Sequence, residues 1–568
     1  VKRRAFLAAT SGALAACTAP FSTVITATPT PPSSATVRER SAEILASLSL
    51  EQKVGQLMSI AFRGTKITAA VEGMIRQRAV GGLVLRAENA DDAGALSRLT
   101  ADLQAIARDA KVPPLLISID QEGGPVIRVG RGMTILPGQM ALAATPDPLG
   151  AIKRANTIAA AELKAAGVRW NLAPVADVND EPRNPIIANR SFGSDPQRVS
   201  QLVAQSVAVY RAERMYPTAK HFPGHGSTST DSHTGLPEID SDRKRLDAVE
   251  LAPFKAAIAA GVQAIMSAHI VVPALDATPS LPVTLSKKVM TDLLRGELGF
   301  QGLIVSDDLE MGALSNVGAA RAGLGAFEAG VDHLLFRFDE SAQIDGHRLL
   351  VDALRSGRIP SSRLDASVLR VISAKLQQGL YEERGPVTVD LEQNGRTGTE
   401  LARESVTLLS NDGVLPLRGK VLAVGVIGAD IGFVAGDSEL GTEVAALRPN
   451  TTPRKFAQAT DAFIASAVSD ARAADVVVVG VADLGTNEDQ RRLVAALAAV
   501  KPTVMVSLRA PYDALYVSGV AAIVCAYGGR VPTLRAVSEV LTGARKPVGR
   551  LPVVIPGRFA IGAGRSDF

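Results

Sequence analysis

The chain has 568 residues, more than one ordinary domain holds, and its 46% hydrophobic content supports a large buried core. Aromatic residues are only 4%, so Ala, Val, Leu and Ile must fill that core. The 61 basic and 57 acidic residues nearly cancel, and no dense Lys/Arg block follows the first few residues, which excludes a nucleic-acid footprint.

The N-terminus reads as an export signal. Lys2, Arg3 and Arg4 precede a short apolar stretch, Ala5 to Ala16, too short for a permanent membrane span. It ends in Leu14-Ala15-Ala16-Cys17, which resembles the bacterial lipobox. Residues 1–17 are therefore expected to be a lipoprotein signal peptide, with Cys17 acylated and first in the mature chain. Arg3-Arg4-Ala5-Phe6-Leu7 also resembles a twin-arginine signal. The expected location is extracytoplasmic, with membrane attachment through the lipid only. Residues 18–38, rich in Thr, Pro, Ser and Ala, read as an extended tether.

Folded sequence is expected from residue 39. Ser49-Leu50-Glu51-Gln52 has the form of a capping box ahead of an apolar-periodic helix. From there to residue 385, short apolar runs alternate with helical patterns such as Val199 to Arg214. Strands are expected at Gly82–Leu85, Pro114–Ile119, Leu172–Val175, Thr218–Lys220, Ala264–His269, Gly302–Val305 and His333–Phe336. Alternation of this kind, repeated about eight times, predicts a (β/α)8 barrel over residues 39–385. Residues 386–395 read as a linker, and residues 396–568 as a second α/β domain with strands at Val421–Val424, Val476–Val479 and Val504–Ser507. Gly425 to Gly432 lacks the G-x-G-x-x-G spacing, so a tight turn is expected there and not a dinucleotide loop. With Cys17 acylated, Cys525 has no partner, and its apolar surroundings predict a buried thiol.

Chemically capable residues follow several of the strands: Asp120-Gln121-Glu122, His221, His269 and Ser306-Asp307-Asp308. In a barrel the strand C-termini carry the active site, so these groups are expected at one mouth. The densest cluster is Lys220 to His233, which holds three of the six histidines. His221 and His225 have the spacing of a helical zinc pair, but Pro223 and Gly224 between them break the helix such a pair needs, so no metal is expected. Asp231 and His233 suit acid/base work, because a carboxylate beside imidazole fixes its tautomer and stabilises the charged form. Asp307 or Asp308, delivered by an apolar strand, can act as a nucleophile; the alternative for either is a helix N-cap.

Lys220 to His233 matches K-H-F-P-G-H-G-x-[ST]-x-x-D-S-H, and Ser306 to Met311 matches S-D-D-L-x-M. Together with Asp120 to Gly124, Arg190 to Gly193, Ala402 to Leu409 and Gly549 to Pro552, these segments give a chain that resembles glycoside hydrolase family 3, in its β-N-acetylglucosaminidase branch. The resemblance spans nearly all the folded sequence. It implies a barrel followed by a C-terminal α/β sandwich. It implies Asp307 as nucleophile and His233 as general acid/base paired with Asp231. Asp120, Arg128, Arg190, Lys220 and His221 would hold the sugar, Asp308 would support the site, and His225 and His269 would shape it. No metal or organic cofactor is implied. The implied substrate is a β-N-acetylglucosaminide such as a muropeptide disaccharide. The C-terminal domain is expected to buttress the barrel or to contribute at the site edge. Pro125, and Ala188-Asn189 ahead of Arg190, depart from the family pattern and leave fine substrate preference open. A phosphorylase using the same residues, a β-glucosidase, and a non-catalytic sugar-binding lipoprotein are the alternatives.

Overall fold

The computed structural model describes residues 34–382, 385, 387–427 and 439–568. Cys17, the first part of the expected tether and most of the glycine-containing turn after Gly425 lie outside the described residues.

Eight parallel strands close into a barrel: β1 (Met58–Ile60), β2 (Gly82–Leu85), β3 (Leu116–Ile119), β4 (Trp170–Asn171), β5 (Tyr216–Phe222), β6 (Ala264–Ser267), β7 (Leu303–Asp308) and β8 (His333–Phe336), with β8 paired back to β1. Seven of the eight lie at or beside the expected runs. β1 is the addition; it is three residues long and directly follows the helix Leu50–Gln56, so its apolar run reads as the tail of that helix. β4 is regular only before the expected run, because Pro174 has no N–H to donate. The ladder nonetheless continues, with Thr218 and Lys220 donating N–H to the carbonyls of Ala173 and Pro174. The capping box at Ser49 is present, Ser49 and Gln52 each satisfying the other's backbone N–H.

The end of the barrel opposite the strand C-termini is closed by the helix Ser361–Gln377. Its Val371 and Ala374 pack against Trp170, Leu303 and other interior side chains, and the Lys375 Nζ donates to Gln56 Oε1, just ahead of β1, at 2.6 Å. The first described helix, Ser34–Ser47, packs on that closing helix. It therefore begins inside the 18–38 stretch expected to be an extended tether; Val37, buried in the core, gives those residues something to pack against. The expected linker 386–395 is likewise helical from Leu391, capped by Asp390, which accepts from the Gln393 N–H.

The second domain is a six-stranded sheet in the order β11-β10-β12-β13-β14-β9. Its strands are β9 (Thr407–Asn411), β10 (Val421–Val426), β11 (Thr451–Phe456), β12 (Val476–Val481), β13 (Thr503–Ser507) and β14 (Ala522–Cys525). Only the edge strand β9 runs antiparallel to its neighbour. Helices cover both faces, so the central strands are apolar throughout, as Val476 to Val481 shows. Among the described residues Cys525 is a buried thiol without a disulfide.

The two domains share a core. Met140, Ala141, Ala144 and Ala188 of the barrel pack with Tyr512, Tyr527 and Leu551 of the second domain. Polar contacts flank this seam: Arg154 makes a two-pronged ion pair with Glu404, and the Arg550 N–H donates to the Ala144 carbonyl at 2.7 Å. The two domains approach closely at Gly193, where a Cβ would lie 2.3 Å from the Pro552 carbonyl oxygen. Gly193→Ala is therefore expected to destabilise the protein by about 1–3 kcal/mol, seen as a lower midpoint in differential scanning calorimetry; an unchanged midpoint would show that the seam yields.

Candidate active site

Asp120 and Glu122 follow β3, Lys220 and His221 sit within β5, and Asp307 and Asp308 end β7. The long loop after β4 brings Arg190, and the loop after β5 brings Asp231 and His233. Strand alternation would turn one of the neighbours Lys220 and His221 away. The β5–β6 register shifts between Lys220 and Phe222, and both side chains line the cavity. The structure places Asp120, Arg128, Arg190, Lys220, His221, Asp231, His233 and Asp307 around a single cavity at the C-terminal mouth of the barrel. Asp308, His225, Arg86, Glu122 and Arg337 line it too.

The inner part of the cavity is a network of paired charges. The Lys220 ammonium lies 2.8 Å from Asp120 Oδ1 and 2.7 Å from Glu122 Oε1. Arg190 clasps both oxygens of Glu122 at 2.9 Å, and Arg128 donates to Asp120 at 3.1 Å. Burial works against ionising Asp120, but Lys220, Arg128 and Arg86 outweigh it and hold its carboxyl well below the usual range. Burial likewise opposes ionisation of Glu122, yet Arg190 and Lys220 bring it down to about 2. These groups are a fixed array of donors and acceptors of the kind that reads sugar hydroxyls.

Asp307 accepts the Asp308 N–H at 2.8 Å. Burial would raise its pKa, but His221, His269 and that N–H more than compensate, so it sits below the usual value and stays ionised at neutral pH. Asp308 behaves oppositely. Burial pushes it up to about 6, against the pull of Arg86 at 3.2 Å and Arg337 at 3.4 Å. Both oxygens of the second aspartate are thus engaged locally, and the Glu310 N–H donates to it at 3.0 Å.

His233 Nδ1 lies 2.8 Å from Asp231 Oδ1, and the same oxygen accepts the His233 backbone N–H at 2.8 Å. With Nδ1 committed, Nε2 is the nitrogen left for proton exchange. Burial tends to raise Asp231, but its bonds to His233 lower it and keep it anionic. His225 holds this loop in shape: Nδ1 lies 3.0 Å from Thr228 Oγ1 and Nε2 lies 3.0 Å from Ser232 Oγ. Burial pushes His225 down to about 4, so it is neutral. His221 and His225 do not converge on a shared point; His221 Nδ1 turns to Asp177 at 2.8 Å. Gly226 lets the loop lie against the loop after β4, since a Cβ there would sit 1.8 Å from the Val178 carbonyl oxygen. His269 bonds to Thr284 at 2.8 Å and to the Asp308 carbonyl at 3.0 Å, and shapes the β7 end.

The second domain reaches this cavity. Arg509, in the loop after β13, lines it while donating to Asp483 at 2.6 Å and to the Pro185 carbonyl at 2.7 Å. Asn189, beside Arg190, donates to the Tyr527 carbonyl at 2.9 Å. The β4 loop that carries Arg190 is therefore held from both domains.

Asp177, Arg86, Arg337 and Arg509 are the polar groups of the site that sequence reasoning missed. Asp177 accepts the backbone N–H groups of His221 and His225 as well as the His221 ring, and so fixes the whole β5 end. Its position just past β4 was a usable signal; Arg86 and Arg337 also each follow a strand directly. Arg509 offered none, because nothing local shows which barrel loop it meets.

Because Glu122 is held at about 2 against an ordinary 4.5, it contributes stability that is complete above pH 4.5 and is lost as pH falls toward 2. Unfolding monitored between pH 5 and pH 2 should show that loss, on the order of 3 kcal/mol from this group, and Glu122→Gln should flatten the slope over the same interval. An equal slope in the variant would contradict the pairing.

Residues 49–374 match the family model described as the glycosyl hydrolase family 3 N-terminal domain, and residues 406–561 match its C-terminal domain. The chain is 32% identical over 554 residues to beta-hexosaminidase A of Pseudoalteromonas piscicida, covering 86% of this chain and 92% of that one. It is 30% identical to a beta-N-acetylglucosaminidase/beta-glucosidase of Cellulomonas fimi, over 90% of this chain and 94% of the relative. A solved family 3 beta-N-acetylglucosaminidase from Paenibacillus sp. str. FPU-7 superposes with a TM-score of 0.85 at 34% identity, covering 90% of this chain and 99% of that structure. A barrel with its charged mouth, a second domain seated on the same loops, and both family models matched in order make this chain a glycoside hydrolase that belongs to glycosyl hydrolase family 3.

Proposed function

We propose that the protein is a retaining exo-β-N-acetylglucosaminidase that removes terminal β-N-acetylglucosamine from peptidoglycan fragments. The observation that carries this is the meeting, in one cavity, of an ionised Asp307 and the Asp231–His233 pair. The names of the relatives, beta-hexosaminidase and beta-N-acetylglucosaminidase, support the sugar.

In this scheme the terminal sugar lies against Asp120, Glu122, Arg128, Arg190, Lys220 and His221. Asp307 attacks the anomeric carbon, and a covalent bond forms from its oxygen as the glycosidic bond breaks. His233 gives its Nε2 proton to the departing oxygen, and Asp231 stabilises the imidazolium before that transfer. The neutral imidazole then takes a proton from water as the water displaces Asp307, which restores both groups. A histidine in this role carries no negative charge in its basic form, so an anionic acceptor is not repelled, and product analysis must include phosphate.

Asp307→Ala is expected to lower the rate of nitrophenol release from nitrophenyl β-N-acetylglucosaminide on the order of 10³-fold or more, while the protein stays folded. Wild-type turnover that yields free sugar in the presence of phosphate supports a hydrolase; sugar 1-phosphate as the product would overturn it. Absence of turnover by folded wild type would favour a binding protein.

The lipobox-like Leu14-Ala15-Ala16-Cys17 supports a second, separate reading, that the enzyme is lipid-anchored outside the cytoplasm. The helix Ser34–Ser47, the first described element after Cys17, packs on the helix that closes the end of the barrel opposite the mouth. Metabolic labelling with a fatty acid should mark wild type and not Cys17→Ala; equal labelling would sink the idea.

A further inference from the structure

The arginines of the cavity differ in what they are bonded to. Arg128, Arg190 and Arg86 each donate to a carboxylate at 3.2 Å or less, and Arg509 donates to Asp483 and Pro185. Arg337 differs. Among the described residues its guanidinium donates no hydrogen bond; its Nε stands 3.4 Å from Asp308, a carboxylate already bonded to Arg86. The N–H groups of its two terminal nitrogens thus stand without an acceptor at bonding distance, in a residue that lines the cavity.

The backbone that carries that guanidinium is held in place. Glu310 accepts the backbone N–H groups of Arg337, Phe338 and Asp339 at 2.7, 3.0 and 3.2 Å. Gln343 donates to the Arg337 carbonyl at 3.0 Å. The Arg337 guanidinium stacks 5.0 Å from the centre of the Phe338 ring, whose other neighbour is Arg63 at 4.3 Å. The result is a half-buried aromatic ring flanked by two cations, fastened to the loop that follows the nucleophile. A guanidinium whose terminal nitrogens are free fits a carboxylate in a two-pronged pair.

Depth tells which sugar would meet it. The side chains of Lys220 and Glu122 are 2% exposed, whereas that of His233 is 51% exposed and that of Arg337 is 35% exposed. In an exo-acting pocket the terminal sugar lies at the bottom, and the leaving group lies outward at the level of the acid that protonates it. Arg337 stands in that outer layer.

We propose that Arg337, on its Phe338 platform, is a specificity residue that binds a carboxylate on the leaving sugar. This rests on the exo-glycosidase reading above. It gives the aglycone a chemical class, a sugar bearing a carboxylate ether such as a lactyl group, and it gives the β8 loop a function.

The test compares two disaccharides of β-N-acetylglucosamine on N-acetylmuramic acid, one with the lactyl carboxylate free and one with it as the methyl ester. The readout is the ratio of their kcat/KM values in the full-length enzyme. Wild type should favour the free acid by roughly 10- to 100-fold, with the preference falling as salt rises. Arg337→Gln should bring the ratio close to one, and Arg337→Lys should restore part of it. A ratio near one in wild type, or an unchanged ratio in Arg337→Gln, would overturn the proposal while the exo-glycosidase reading stood. So would sugar 1-phosphate formation that Arg337→Gln abolishes, because the bound anion would then be free phosphate. If wild type cleaves neither disaccharide nor nitrophenyl β-N-acetylglucosaminide, the parent reading fails and takes this one with it.

Discussion

Everything at the mouth depends on one arrangement: a lysine and two arginines held against two carboxylates where water cannot screen them. Lys220, Asp120 and Glu122 are almost wholly removed from solvent, and none could stay charged there alone. Paired, each stabilises the other, and the pairing demands that β3, β5 and the β4 loop meet in fixed register. Loss of one member leaves an uncompensated charge in a dry site. The network is therefore a structural device as well as a set of hydrogen-bonding groups. Its donors and acceptors are already oriented before any sugar arrives, which is the condition for reading hydroxyls without spending binding energy on rearrangement.

That register explains why the second domain is seated where it is. The loop after β4 is long and must place Arg190 against Glu122. Three bonds from the second domain act on it: Arg509 to Pro185, Asn189 to Tyr527, and Tyr512 to the Asn179 carbonyl at 2.5 Å. A loop with its own backbone groups satisfied only by water would be free to sample other positions. Here the neighbouring domain supplies the partners. The shared apolar seam around Met140 and Tyr527 makes the two domains one packed body at that point, so the site is a property of both, although most of its residues come from the barrel.

Much of this was legible in the sequence, and what was not has physical reasons. Runs such as Gly82–Leu85 and His333–Phe336 are fully buried strands bounded by turn residues, so length and composition mark them. The three-residue β1 was hidden because nothing in Met58-Ser59-Ile60 separates a strand from the end of a helix. The helix at Ser34 was hidden because its stability comes from a partner, residues 361–377, more than three hundred positions away. In the site, Asp307, Asp231 and His233 stood out because their segments are polar and glycine-interrupted at strand ends. Asp177 sits among apolar residues, and its importance lies in three hydrogen bonds to residues more than forty positions on, which no local pattern carries.

Depth in the cavity also divides the chemistry. Asp307, the nucleophile of the proposed scheme, is kept ionised by His221, His269 and a backbone N–H. An acid/base must instead lose a proton and regain one in each cycle, so isolation would slow it. His233 sits half-exposed on a loop, steered by Asp231 but open to water. Its neighbour in sequence and fold, His225, is buried and pushed down to about 4, which disqualifies it from proton transfer near neutral pH and suits it to hold the loop. The same residue type thus serves two ends within nine positions, and burial decides which. A carboxylate placed where His233 stands would have to share the mouth with Asp307 and Asp308, adding a third negative charge to the β7 end. The imidazole avoids adding to the repulsion that Asp307 and Asp308 already exert on each other.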